Sequence, residues 1–204
     1  MPRPRSLDRD AITGAALSVL ERSGTGALSM RSVAAELGVS AMALYRYAEG
    51  REQLEVWIVD RLLGAVDPAP PAGGDWTERV ALLMDRLRAA AAEHPAAVPL
   101  LLSHRHAAPA SLRWIEAVLE VLTEAGFTGE RRALAQRALV AHLLGALQLE
   151  HLGPLDGAGT AEMAGLPGAE FPRTAETARA ARRITADEEF HHGLSALLRG
   201  LRDA

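Results

Sequence analysis

Leu28-Ser-Met-Arg-Ser-Val-Ala-Ala-Glu-Leu-Gly38-Val-Ser-Ala-Met-Ala-Leu-Tyr45-Arg-Tyr-Ala-Glu-Gly-Arg51 holds the strongest pattern in the chain. Val33, Ala34 and Leu37 recur at helical intervals, Gly38 interrupts them, and Val39 and Leu44 resume at a new angle, which predicts a helix, a tight turn and a second helix. Ala34 is small where the two helices must cross closely. Gly38 supplies the positive φ of so short a turn, and Ser40 is placed to cap the second helix. At about 100° per residue, turning Leu44 inward with Ala41 and Ala48 beside it leaves Met42 and Arg46 outward, flanked by Ala43, Tyr45 and Tyr47. Such a face suits a DNA major groove: an arginine can bond guanine O6 and N7, and Met42 and Ala43 can touch thymine methyls. The plainer alternative is a helical hairpin with a solvated arginine.

The elements on either side fit this arrangement. Leu7–Arg22, with Ile12, Ala15, Ala16, Val19 and Leu20 in register, predicts a helix that stops at Gly24 and walls the small core; Ser29 caps the next one. After Glu49 and Gly50, the residues Leu54, Trp57, Ile58, Arg61 and Leu62 mark a helix over 52–66. It is expected to act as a lever between the head, residues 1–51, and the remainder. Trp57 reads as core. Pro2-Arg-Pro-Arg5 is extended and positive, able to lie along phosphates or enter a minor groove, or else simply a frayed tail.

Composition limits what remains. The 204 residues are 49% hydrophobic but only 4% aromatic, which favours helices packed through Ala and Leu. With no cysteine, disulfides, thiolate metal sites and a cysteine nucleophile are excluded. The first residues have no apolar signal core and no run of about 18 apolar residues follows, so a soluble cytoplasmic protein is expected. The net charge of −4 is unevenly spread. Residues 1–51 hold 7 Arg against 5 acids, leaving +2, whereas residues 52–204 hold 15 Arg against 21 acids, leaving −6. The basic end coincides with the motif.

Asp67–Gly74, rich in Pro and Gly, predicts a loop, and Asp75 with Glu78 a capping box that opens a helix to about Glu93. His94-Pro95 closes it. A short apolar segment leads to His104-Arg-His106; two histidines two apart do not share a helical face, so a zinc site there would need further ligands. No cofactor or metal is expected. Leu112, Ile115, Val118, Leu119 and Leu122 are expected on the inner side of a helix from Pro109 to Ala125. The next helix, 129–152, carries Leu134, Ala138, Leu139, Ala141, Leu143, Leu144, Leu147 and Leu149 around most of its circumference, so one side covers the core and another needs a partner. Gly, Ala and Pro then dominate to about Pro172, predicting a mobile loop, with a short helix over 174–183 after it. Thr185 and Glu188 cap a last helix with Phe190, Leu194, Leu197, Leu198 and Leu201 in register. Pairing it with 129–152 and doubling the pair gives a four-helix bundle between identical chains.

The motif resembles the DNA-binding domain of the TetR (tetracycline repressor) family. That family's Thr-Leu-Tyr type of signature stands here as Ala43-Leu-Tyr-Arg-Tyr47, followed by Arg51 at the start of the next helix. The resemblance implies that Ser29 and Arg31 meet the DNA backbone or a base, and that Tyr45, Tyr47 and Arg51 hold phosphates. The DNA-facing set is then Ser29, Arg31, Ser40, Ala41, Met42, Ala43, Tyr45, Arg46, Tyr47 and Arg51. Segments after Asp75 resemble the effector domain for which the family is named: Trp76-Thr-Glu78, Leu101-Leu-Ser-His-Arg105, His142 with Glu150, and Glu189 to Leu201. At the position of that domain's metal-binding histidine stands Ser111, and at that of its drug-binding asparagine stands Leu83. The resemblance therefore implies a less polar effector than tetracycline with magnesium, bounded by Leu83, Leu87, His104, Trp114, His142 and Glu150.

The expected fold is all-α, an N-terminal three-helix helix-turn-helix domain with a larger helical domain at 67–204 for effector binding and dimerisation. The expected protein is a homodimeric repressor released from palindromic DNA by a small molecule. An activator or ligand-independent regulator of the same fold is the alternative. A metal or acid–base enzyme built on His104, His106, His142 and Glu150 is a distant one, since no nucleophile stands beside a base.

Overall fold

The computed structural model describes residues 7–70 and 72–203, so Pro2–Arg5 lies outside the described residues. Among the described residues there are eleven α-helices, two short 3₁₀ turns and no strand. The chain divides into two compact units, residues 1–70 with 85–118 and residues 71–84 with 119–204.

The first unit opens with α1 (Arg9–Ser23), capped by Asp8, which accepts the Ala11 N–H at 2.8 Å, and ended by Gly24. A 3₁₀ turn, Thr25–Ala27, leads to α2 (Met30–Leu37). Ser29 Oγ accepts the Ser32 N–H, and Ser32 Oγ accepts the Ser29 N–H in return. Each hydroxyl thus satisfies a donor that the helix leaves unpaired. Gly38 ends α2 at φ 68°, ψ 28°, the left-handed conformation that a Cβ disfavours. Helix α3 spans only Ala41–Leu44, its Ala43 N–H bonded to Ser40 Oγ at 3.2 Å. The expected recognition helix is therefore shorter than its apolar spacing implied. The Leu44 carbonyl takes both the Tyr47 and the Ala48 N–H, and the chain tightens into turns through Tyr47.

Helix α4 (Arg51–Gly64) follows, and α1 packs against both α2 and α4. Ile12, Ala16, Leu20, Val33, Leu44, Leu54 and Ile58 are buried and form the core of these packed helices. Fully burying side chains of this size contributes about 1.5–3 kcal/mol each, which is what short helices need in order to persist. Trp57 is half-buried, with the Arg9 guanidinium 5.3 Å above its ring, so the core reading of that residue is corrected to a cation–π shelf at the edge.

Helix α5 (Trp76–Ala92) and helix α7 (Pro109–Glu124) each divide between the units, at 84/85 and 118/119. In the first unit a 3₁₀ turn at Pro95–Ala97 precedes α6 (Val98–His104). The buried residues of α7 are Ala110, Ser111, Trp114, Ala117, Val118, Val121 and Leu122, and Leu112 is 48% exposed. The expected inner face was thus turned too far toward Leu112, because small residues occupy the close-packed side that size alone assigned to leucine.

The second unit contains α8 (Gly129–Leu152) and α11 (Ala186–Asp203), which pack on each other with Leu139, Leu143, Leu147, Phe190, Leu194 and Leu198 inward. Leu134, Leu149 and Leu152 remain outward on α8, at 62%, 54% and 77% exposure. A Cβ at Gly193 would stand 2.5 Å from His142 Cε1, so any other residue there forces the His142 ring to move. The expected capping box at Asp75 is half present: Glu78 accepts the Asp75 N–H, while the Asp75 carboxylate takes the Thr77 hydroxyl and Arg202. At Thr185 and Glu188 the box is complete.

The expected mobile loop up to Pro172 is overturned over 158–164, while 153–157 and 165–171 stay without helix. Ala158–Ala164 forms α9, which packs on α10 (Pro172–Ala181) with Thr160, Ala175 and Ala178 buried. Small residues bury too little to fold alone, but they let two short helices approach closely.

Candidate nucleic-acid interface and effector residues

The head presents one continuous polar and apolar face around α3. Met42 is 76% exposed, Tyr45 52% and Tyr47 46%, and Arg31 and Arg46 are exposed as well. Leu44 and Ala48, both buried, hold this face from below. The local sequence dictates the arrangement: Ser40 starts the helix, four residues complete one turn, and Leu44 enters the core. Tyr45, Arg46 and Tyr47 must then lie outside. Ser29 is half-buried with its hydroxyl spent on the cap, leaving Arg31 as the outward group at the start of α2.

Such a face can do two kinds of chemistry. Its guanidinium can bond the edge of a base, and phenolic hydroxyls beside it can donate to phosphate oxygens. Arg51 differs from Arg31 and Arg46 in having its guanidinium bonded within the unit. Its Nε donates to Glu55 at 2.6 Å and its Nη2 to the Thr25 carbonyl at 3.0 Å, so its guanidinium is already engaged inside the unit. A groove of about 450 Å³, lined by Glu49, Gly50, Glu52, Gln53, Val56 and Ala107, lies alongside it.

The six residues expected around an effector fall in both units. Leu87, His104 and Trp114 belong to the first, and Leu83, His142 and Glu150 to the second. Leu83, Leu87 and Trp114 are buried. His104 is half-buried and donates from Nε2 to Glu55 at 2.8 Å. His142 donates from Nε2 to the Phe190 carbonyl at 3.1 Å and stacks on the Phe190 ring at 5.2 Å, which gives it a packing role between α8 and α11. Glu150 is half-buried. Ser111, where the family's namesake has its metal-binding histidine, is buried at 3% exposure. Among the described residues no group of three or more His, Asp or Glu side chains converges as a metal site would require.

Glu55 and Asp60 on α4 were missed by the sequence reading. Glu55 lies three and seven residues before Ile58 and Leu62, inside the buried stripe, and four after Arg51. An acid on an apolar stripe with a basic residue one turn earlier is the signal that would have found it.

The family described as tetracyclin repressor-like, C-terminal domain, matches residues 67–204, and that described as bacterial regulatory proteins, tetR family, matches residues 12–55. The chain belongs to the TetR family. Its relatives are transcription regulators, not enzymes. A solved structure of a possible TetR family transcriptional regulator from Streptomyces coelicolor A3(2) is 30% identical, with a TM-score of 0.86 over 96% of this chain and 99% of that one. ActR of Streptomyces coelicolor, solved in complex with (S)-DNPA, is 25% identical, with a TM-score of 0.82 over 96% of both chains. The HTH-type transcriptional repressor DrrR1 of Streptomyces coeruleorubidus is 30% identical over 71% of this chain. The match spans 54% of that repressor's own length. No helix among the described residues of this TetR-family chain is long and apolar enough to cross a membrane.

Proposed function

We propose that this TetR-family regulator is a homodimeric repressor that holds a palindromic operator through two copies of the head and releases it when a small molecule binds the larger domain. In this reading residues 1–51 bind DNA, the helix over 52–66 connects, and residues 67–204 bind effector and dimerise. The observation that carries it is the exposed Met42, Tyr45, Arg46 and Tyr47 face fixed over buried Leu44. Ser40, Ala41, Met42, Ala43 and Arg46 enter the major groove, while Ser29, Arg31, Tyr45, Tyr47 and Arg51 keep the head in register on the backbone. Arg51 serves phosphate from a guanidinium already braced by Glu55, so its positive charge acts at short range more than its hydrogen bonds do.

The outward Leu134, Leu149 and Leu152 of α8 support the dimer: they give each subunit an exposed apolar ridge beside the 185–202 helix that a second copy covers. The effector is a less polar small molecule than a magnesium chelate, since Leu83 and Ser111 replace an amide and an imidazole. The residues proposed to meet it are Leu87, His104 and Trp114 of the first unit and Leu83, His142 and Glu150 of the second. The (S)-DNPA complex of ActR and the repressor role of DrrR1 support ligand-released repression, acting in the cytoplasm where the operator is. Release is a population shift: the effector lowers operator affinity by its preference for the conformation whose heads are mis-spaced for half-sites about 34–36 Å apart.

Selection of bound duplexes from random DNA by the full-length protein tests this. A palindromic site bound by a dimer, and its release by a compound from a metabolite screen, are expected. Recovery of no preferred sequence would refute the reading, and release by no compound would favour a ligand-independent regulator.

A further inference from the structure

Helix α4 carries two carboxylates five residues apart, and each one joins two other groups. Glu55 Oε1 accepts from Arg51 Nε at 2.6 Å and Oε2 from His104 Nε2 at 2.8 Å, with the Glu55 and His104 side chains only 11% and 12% exposed. Arg51 in turn donates to the Thr25 carbonyl at 3.0 Å. Thr25 opens the 3₁₀ turn that delivers Ser29 to the start of α2. A line of hydrogen bonds therefore runs from the last residue of α6 to the turn that sets the entry of the DNA-binding motif.

Asp60 makes a different kind of joint. Its Oδ2 accepts from Arg9 at 2.7 Å and its Oδ1 from the Ala110 backbone N–H at 2.8 Å, in the first turn of α7. That backbone donor moves only with its helix. The imidazole held by Glu55 can turn about its own side-chain bonds, so this joint opens without displacing any helix. Its opening has a consequence, because a buried carboxylate that loses one of two partners is costly to leave half-paired. Arg51 is then the partner left to Glu55, and a guanidinium that turns its Nη2 to the carboxylate would give up the Thr25 carbonyl.

We infer that Glu55 is a positioning residue that reports the state of His104 to the DNA-binding head through Arg51. A molecule that competes for the His104 N–H would thereby loosen the Thr25–Ala27 turn. The functional meaning rests on the reading above, in which His104 meets the effector and the head meets DNA.

The test uses the full-length protein with Glu55→Gln, His104→Leu and the double variant, leucine keeping bulk while removing the donor to Glu55. Amide exchange is followed without DNA, and affinity is measured for the duplex that the wild type selects from a random pool. Each single variant is expected to speed exchange over residues 25–31 and to change affinity about threefold to thirtyfold, with the double variant no worse than the stronger single one. Unchanged exchange over 25–31 in His104→Leu, or effects that multiply in the double variant, would overturn the inference. Asp60→Asn is expected to speed exchange at residues 110–113 and leave 25–31 as in the wild type. The same loosening of the head by Asp60→Asn would also overturn it, since any disturbance of α4 would then suffice. If no duplex is selected, the repressor reading fails, and the exchange data alone still decide the role of Glu55.

Discussion

The head and the α8–α11 pair are both helical, but different physics determines each. The head is built from helices of 15, 8 and 4 residues, and α8 and α11 run for 24 and 18. Isolated helices below about 12–15 residues are marginal in water, so α2 and α3 exist only because Ser29, Ser40 and Gly38 close their ends and Leu44 ties them to a shared core. The long pair forms from Ala and Leu content and is held by a broad contact in which few positions are unique. A single substitution should therefore matter more in the head than in the pair, with Gly193 the exception.

The largest effect is expected at Leu44. Leu44→Ala leaves a cavity under the exposed face and should cost about 2–5 kcal/mol, with loss of DNA binding. Denaturant titration and a DNA-binding assay measure both, and a cost within error of a surface substitution would break the comparison at its strongest point. Gly193→Ala comes next: its Cβ meets the His142 ring, displacing the bond to the Phe190 carbonyl, at about 1–3 kcal/mol of overpacking. Thermal unfolding and sedimentation would show lower stability and a weaker dimer, and a loss exceeding that of Leu44→Ala would reverse the ranking. Ser29→Ala removes half of a reciprocal cap and should cost about 1 kcal/mol, seen also as faster amide exchange over residues 30–33.

The smallest effect separates a long helix from a short one by pH. Glu188 is held below the usual carboxylate range by the Thr185 backbone N–H and then by the Thr185 hydroxyl. A lowered native pKa stabilises at neutral pH, and that contribution disappears as pH falls through the carboxylate range. Thr185→Ala loses the cap on the Glu188 N–H at every pH and the hydroxyl bond to the Glu188 carboxylate only while that group is charged, so it should be less stable than the wild type throughout, with a larger deficit at pH 7 than in acid, by thermal melts at each pH. A difference that persists unchanged into acid would assign the loss to something other than Glu188.

This contrast also explains what could be read from sequence. Gly38, Ser29, Ser40 and Leu44 each have one physical reason to be where they are, so the helix-turn-helix was legible residue by residue. What failed was the extent of α3, because periodicity measures which side faces inward and not how many residues keep helical backbone bonds. On α7 the large Leu112 misled, since Ala110, Ser111 and Ala117 fill the close contact. At α9, small-residue composition looked like a loop because it was weighed by apolar bulk, whereas close approach is what Thr160, Ala175 and Ala178 supply. Glu55 and Asp60 went unseen because an apolar stripe is read by its leucines. A buried acid inside it becomes meaningful only once His104, 49 residues away, is found on its other oxygen. The effector residues were the least legible, for their neighbours come from distant parts of the chain.

The claim that the exposed face of α3 reads DNA is tested most directly by titrating the wild type and Arg46→Ala against the best selected duplex and all its single-base variants. The account predicts a loss of about 1–3 kcal/mol that relaxes preference at one position in each half-site and leaves the others discriminated as before. An equal loss on every variant, with all preferences intact, would show that Arg46 touches only the backbone and contradict the claim.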